Sequence, residues 1–149
     1  MTSSLIYGVQ WDLVLKFIET KGATTKEDLT SNSKAIGNCK DNLWNITNVN
    51  VKYSTNNGNT FNVCPYQKNA SEGVLLTTGA DTSFSLMNIY DIAGNVWEWT
   101  LGKTTSDSTP CALRGGHYGN YGDKHPASYC YNDSTGNNNY GVGFRISLF

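Results

Sequence analysis

Apolar residues near the start of the chain recur at about one helical turn. The stripe consists of Leu5, Val9, Leu13 and Phe17, and Ile6, Leu15 and Ile18 widen it. This spacing is typical of an amphipathic helix, whose apolar stripe packs against a core. The pattern predicts a helix over residues 7–20 that stops at Gly22. Thr25 then predicts a capped second helical turn that ends near Leu29.

The remaining apolar segments are short and are separated by turn residues. Residues 31–78 are irregular in pattern, except that the turn over 56–59 predicts a hairpin between residues 49–53 and 61–63. Segments rich in β-formers predict further strands over residues 96–100, 111–114 and 142–148. Together these elements predict an α+β fold with a small antiparallel sheet, one or two helices and much irregular loop.

The composition limits both the architecture and the partners. A chain of 149 residues suits a single domain over 1–149,. With a net charge of −1 and no cluster of Lys or Arg, we expect no nucleic acid as partner,. Because no apolar run approaches the roughly 20 residues of a membrane span, we expect no membrane insertion. No signal peptide is visible, so export would have to be inherited from a larger particle or parent chain.

The four cysteines are far apart in the sequence. They are Cys39, Cys64, Cys111 and Cys130, and none forms a C-x-x-C pair, which argues against a zinc ribbon,. Two alternatives remain open: free, mostly buried thiols, or at least one disulfide among three possible pairings.

Three motifs in the last third of the chain carry a resemblance. They are Gly94-Asn95-Val96-Trp97-Glu98-Trp99 within residues 88–100, then Arg114-Gly115-Gly116, then Gly143-Phe144-Arg145. Their order resembles the formylglycine-generating-enzyme and sulfatase-modifying-factor superfamily, a branch of the C-type lectin fold. The resemblance implies a C-type lectin-like domain in which the paired glycines serve a structural turn and Arg145 pairs internally.

The resemblance also implies a structural calcium ion. In the superfamily this segment donates side-chain and main-chain oxygens, and the matching positions are Asp91, Gly94, Val96 and Glu98. Such hard oxygen ligands are those that calcium selects. The alternative is an aromatic core anchor: Trp97 and Trp99 alternate onto one face of a strand, and Glu98 points to solvent on the other.

The enzymes of the superfamily hold copper with two cysteine thiolates shortly after the R-G-G motif. Cys130 resembles the second of them, but no cysteine lies between Gly116 and Ser128. His117 and His125, the only histidines, are too few for the multi-histidine iron site of related enzymes and are expected on the surface or in loops,. The sequence therefore favours a protein that is not an enzyme; a copper- or iron-dependent oxidase is the alternative.

A second resemblance extends over the whole chain, to phage and prophage proteins of gut bacteria, some of them variable proteins of diversity-generating retroelements. It implies that residues 114–145 form a variable ligand-binding region. This region combines Tyr with Asn, Ser and Gly, the residues that antibody loops use for recognition. The candidate ligand-binding residues are His117, Tyr118, Asn120, Tyr121, Asp123, Cys130, Tyr131, Asn132, Asp133, Asn137, Asn138, Asn139 and Tyr140.

These resemblances predict a receptor-binding domain on the virion surface, at the phage tail, or on a bacterial cell surface. Its partner would be a host-surface protein or glycan, and the domain would belong to a larger virion or surface assembly. A structural domain of a phage fibre is a further alternative.

Overall fold

A computed structural model describes residues 2–134 and 140–148 of the chain. It contains two α-helices, α1 (Gly8–Thr20) and α2 (Lys26–Thr30), and two short 3-10 turns at Ser33–Ala35 and Thr82–Phe84. The helices accompany five small sheets, so the predicted α+β architecture is confirmed. None of the helices in these two ranges is long and apolar enough to cross a membrane.

The first helix lies where the apolar spacing predicts it, but it buries the edge of the predicted stripe, with Leu15 and Ile18, and exposes the centre. Trp11, Leu15 and Ile18 are buried, whereas the predicted stripe members Val9, Leu13 and Phe17 are exposed. Both sets recur at helical spacing, so periodicity alone does not select between them. Trp11 decides the orientation, because its indole N–H donates to the Ala127 carbonyl at 2.9 Å inside the core.

The second helix confirms the predicted cap. The Thr25 hydroxyl accepts from the Asp28 N–H at 3.1 Å, and the Asp28 carboxylate accepts from the Thr25 N–H at 3.1 Å. This reciprocal capping box satisfies two N–H groups that the first turn of a helix leaves unpaired. The capping box therefore supports a helix of only five residues. Leu29 of this helix is buried in the hydrophobic cluster that also contains the buried residues of α1.

Within the described residues, thirteen short strands make up the sheets. In chain order they are β1 (Ser3–Leu5), β2 (Trp44–Ile46), β3 (Lys52–Ser54), β4 (Asn62–Val63), β5 (Tyr66–Lys68), β6 (Leu75–Leu76), β7 (Ser85–Leu86), β8 (Ile89–Tyr90), β9 (Trp97–Lys103), β10 (Cys111–Arg114), β11 (Cys130–Asp133), β12 (Val142–Phe144) and β13 (Ile146–Leu148). The predicted hairpin is confirmed as β3 and β4, which pair antiparallel.

The largest sheet has the order β11-β10-β9-β12. The prediction of a wholly antiparallel sheet is wrong for one pair, because β12 runs parallel to β9. The predicted strand over residues 142–148 is divided at Arg145, and its second half, β13, pairs with β1 instead. A strand, β11, also lies within residues 114–145, the region that the resemblance assigns to ligand binding.

Two hydrophobic clusters form the core. The first surrounds Trp11 and α2, and the second includes Trp44, Val74 and Leu76. Buried asparagines tie the second cluster to the segment that leads into β9. The Asn95 side chain bonds both the N–H and the carbonyl of Leu76, at 3.0 and 3.1 Å, and accepts from Asn38 at 3.1 Å. These bonds fix where β9 begins.

The orientation of α1 predicts unequal effects for two substitutions. Trp11→Ala should lower the free energy of unfolding by about 3 to 5 kcal/mol, because it empties a fully buried aromatic site. Leu13→Ala, on the exposed face, should change it by less than about 0.5 kcal/mol. Urea unfolding of both variants measures this, and a larger loss for Leu13→Ala would contradict the orientation.

Candidate ligand-binding site

The candidate site begins with the alternation of side chains along β9. Trp97 and Trp99 lie on one face, and the register with β10 and β11 brings Leu113 and Tyr131 to the same face,. Trp97 is buried beneath Tyr131, whose ring stacks on it with centroids 5.5 Å apart. The two tryptophans share a face as predicted, but Trp99 is only half-buried, so Trp97 is the buried anchor of the pair.

Residues 114–145 are here called the terminal region. Three more rings from this region pack around Trp97. The centroids of His125, Tyr129 and His117 lie 5.5, 6.0 and 6.2 Å from that of Trp97. His117 in turn contacts Tyr118 at 5.1 Å. The two histidines lie in loops, as predicted, and are half-buried within this cluster.

Four tyrosines of the terminal region are exposed and are here called the tyrosine face. They are Tyr121, Tyr129, Tyr131 and Tyr140. Tyr131 is 44% exposed and Tyr140 is 62% exposed. Two of them, Tyr129 and Tyr131, pack on the ring of the buried Trp97, which supports them from the side of the sheet.

The structure separates the predicted ligand-binding residues into groups. Exposed are Tyr121, Asp123, Cys130, Tyr131, Asn132 and Tyr140, while His117 and Asn120 are half-buried. Positions 137–139, the predicted Asn137, Asn138 and Asn139, lie outside the described residues.

Two predicted ligand-binding residues are buried, which corrects their assignment. Tyr118 is only 7% exposed, because its ring packs against Gly73 and its hydroxyl donates to Asn57 Oδ1 at 2.9 Å. Asp133 is also 7% exposed, and its carboxylate accepts from the Ser134 N–H at 2.7 Å. Both side chains stabilise the loop instead of presenting a surface to a partner.

A cavity of about 430 Å³ adjoins the tyrosine face. Its walls combine His117, Tyr118 and Tyr140 with Lys40 and Ser71, which the sequence did not single out. Both of the latter lie in the segment whose pattern is irregular, so no periodicity or motif marks them. Their proximity to the terminal region is a product of the fold.

The opposite face of β9 holds an ion pair. Glu98 is buried and both its carboxylate oxygens accept from the Arg145 guanidinium. Arg145 also donates to the carbonyls of Tyr90 and Asp91, at 3.3 and 3.4 Å, and its guanidinium lies 5.2 Å from the centre of the Trp11 ring. The predicted internal pairing of Arg145 is therefore confirmed, and the alternative prediction of a solvent-exposed Glu98 is wrong.

The R-G-G motif turns the chain between the sheet and the terminal region. Gly115 and Gly116 have φ angles of 89° and 77°, which strain any residue with a Cβ atom,. A Cβ atom on Gly116 would also lie 2.7 Å from the His125 carbonyl oxygen. Glycine is thus required at this turn for structural reasons.

The sequence matches the family described as "Sulfatase-modifying factor enzyme 1-like domain" over residues 20–148. The chain belongs to this family. No curated protein sequence matches the chain. Among solved structures, variable protein 1 of Treponema denticola is similar, with a TM-score of 0.52 and 20% sequence identity. The similarity covers 97% of this chain and 46% of that protein, so the chain spans about half of its length. At this identity the similarity shows the shared fold.

The family resemblance implies calcium at Asp91, Gly94, Val96 and Glu98, and the arrangement of these residues does not fit that ion. Both oxygens of Glu98 are bound by Arg145, and Asp91 Oδ2 accepts from the Gly79 N–H at 2.9 Å. A calcium ion would have to displace the guanidinium. Over residues 2–134 and 140–148, no three His, Cys, Asp or Glu side chains group as metal ligands.

Copper held by two thiolates does not fit either. In the antiparallel pairing of β10 with β11, Cys130 lies opposite Arg114 and Cys111 lies opposite Asp133. The two cysteines are therefore three residues apart along the sheet. At about 3.4 Å per residue these cysteines are roughly 10 Å apart along the sheet. The other two cysteines, Cys39 and Cys64, are buried elsewhere, and all four are free thiols.

The ion pair predicts that calcium has no effect on stability. Because Arg145 already supplies the positive charge at Glu98, the melting temperature should be the same in millimolar calcium and in excess chelator. Glu98→Gln should lower the melting temperature equally in both solutions, since it leaves Arg145 without its partner. Calorimetry measures this, and a melting temperature that rises with calcium and loses that rise in Glu98→Gln would restore the metal site.

The histidines predict a loss of stability in acid. Burial lowers the pKa of both His117 and His125 below the ordinary value near 6.5,. As the pH falls below that value, the unfolded chain binds protons more readily than the folded one, so stability decreases. The double variant His117→Gln, His125→Gln should show a weaker decrease between about pH 6.5 and 5. Urea midpoints over this range measure it, and parallel curves would contradict the assignment.

Proposed function

We propose that this chain is a non-enzymatic ligand-binding domain and that the tyrosine face is its recognition surface. The observation that carries the proposal is the packing of Tyr129 and Tyr131 on the buried Trp97. Tyrosine side chains held in this way offer large amphipathic contact areas at a low cost in conformational entropy.

The partner in this proposal is a protein or glycan on a host surface. The domain would sit on a phage tail or a bacterial cell surface, within a larger assembly. The similarity of the fold to a protein named as variable supports a scaffold whose terminal region differs between copies. A diversity-generating retroelement is the mechanism we propose for that variation, in residues 114–145.

The separation of Cys111 from Cys130 supports binding over oxidation, because the family's copper chemistry needs two adjacent thiolates,. A copper- or iron-dependent oxidase is the alternative function, and an assay of peptide oxidation should detect it. Oxidation of a cysteine peptide by the copper-loaded chain, lost in Cys130→Ser, would replace the proposal.

Binding should depend on the tyrosine face. We expect the fluorescently labelled domain to attach to intact cells within a panel of gut bacteria or to spots on a glycan array. Tyr129→Ala combined with Tyr131→Ala should abolish that attachment, since aromatic anchors at interfaces contribute roughly 2 kcal/mol or more each. Circular dichroism should show that the variant remains folded.

The matched control is Phe17→Ala, an exposed aromatic residue on α1. It should bind as the wild type does. A folded Tyr129→Ala, Tyr131→Ala variant that still attaches, or equal loss in the control, would contradict the tyrosine face as the recognition surface.

A further inference from the structure

The cavity beside the tyrosine face is built from four separate parts of the chain. Lys40 and Ser71 come from irregular segments, Asn57 from the turn of the β3–β4 hairpin, and His117 and Tyr140 from the terminal region. At about 430 Å³ it is within the range of small-molecule sites, roughly 300 to 1,000 Å³,.

The acceptor atoms of two lining side chains are already used inside the protein. His117 Nδ1 accepts from the Gly119 N–H at 2.8 Å, so the proton of the neutral ring is on Nε2,. Asn57 Oδ1 accepts the Tyr118 hydroxyl, which leaves the amide Nδ2 group to act as a donor,. The lining polar groups therefore offer mainly N–H donors to a ligand.

Lys40 adds a positive charge to the cavity. Its backbone is held by hydrogen bonds from two sides. Its N–H donates to the Asn120 carbonyl at 2.8 Å, and its carbonyl accepts from the Ser71 N–H at 2.8 Å. The buried Lys68 ammonium donates to the same carbonyl at 3.1 Å. The Lys40 ammonium itself lies 5.6 Å from the centre of the Tyr121 ring, at the edge of the tyrosine face.

No carboxylate of the described ranges forms an ion pair with Lys40. The neighbouring acids have other partners: Asp41 accepts from the Gly122 N–H at 2.9 Å, and Glu72 accepts from the Asn69 N–H at 3.1 Å. Neither lines the cavity. The cavity thus has a cation, several donors and no competing anion in its lining.

We propose that this cavity binds a sugar acid, with the sugar's carboxylate on the Lys40 ammonium. The inference rests on the proposed function, since it names the ligand class at one edge of the same surface. His117 Nε2 and the Asn57 amide donate to the remaining ligand oxygens. The exposed ring of Tyr140 covers the apolar face of the sugar ring,. A scaffold residue, Lys40, selects the ligand's charge, and the terminal region shapes the rest.

The test is calorimetric titration of the full chain with glucuronate, glucose and acetate. Glucuronate should bind at least about tenfold more tightly than either of the others, because only glucuronate has both the carboxylate and the sugar ring. Lys40→Met should weaken glucuronate binding at least about tenfold without changing the melting temperature, and Lys40→Arg should retain part of it. The control Lys103→Met removes an exposed lysine at the end of β9 and should bind as the wild type does.

Several outcomes would overturn the inference: no glucuronate binding, equal affinity for glucose or for acetate, or unchanged affinity in Lys40→Met. Attachment to bacterial cells distinguishes this failure from failure of the proposed function. If cells bind through Tyr129 and Tyr131 but glucuronate does not bind, the sugar-acid site is wrong and the binding domain stands. If glucuronate binds through Lys40 but Tyr129→Ala, Tyr131→Ala leaves cell attachment intact, the sugar-acid site stands and the tyrosine face is wrong.

Discussion

The alternation of side chains along β9 is the constraint on which the rest of the structure depends. Trp97 points to one side, where four rings of the terminal region pack on it. Glu98 points to the other, where it holds Arg145 against Trp11. A single strand therefore anchors the terminal region on one face and the helix α1 on the other. A shift of one residue in its register would exchange these faces and disrupt both.

This arrangement explains how a surface of irregular loops remains ordered. Tyr129 and Tyr131 of the tyrosine face pack on the buried Trp97, β11 pairs with β10, and the R-G-G glycines set the turn that leads into this region. Substitutions at exposed positions of the face usually cost little stability, and the backbone pairing of β11 with β10 does not depend on the side chains that they change,. Recognition can change on such a scaffold while the fold is retained, which is the property that a variable binding protein requires.

The sequence alone was sufficient to predict the local structure and the family. It failed to predict the features that long-range contacts determine. The boundaries of α1, the cap at Thr25 and the β3–β4 hairpin follow from neighbouring residues, so their patterns predicted them. The buried face of α1 depends on Ala127, more than a hundred residues away, and periodicity did not reveal it. Tyr118 and Asp133 look like surface residues in a polar loop, but the fold buries them. Lys40 belongs to no sequence motif. Only its position in the fold, beside Tyr121, indicates a role in ligand binding.

Chemical footprinting of tyrosines tests the central claim most directly. The six exposed tyrosines are Tyr7, Tyr90, Tyr121, Tyr129, Tyr131 and Tyr140. The domain can be iodinated free in solution and in the presence of bacterial cells to which attachment has been measured, and the modification of each tyrosine can be read by mass spectrometry. The account predicts that attachment protects the four tyrosines of the tyrosine face and leaves Tyr7 and Tyr90 as reactive as in the free domain. Protection of Tyr7 and Tyr90, with the tyrosine face still reactive, would contradict it.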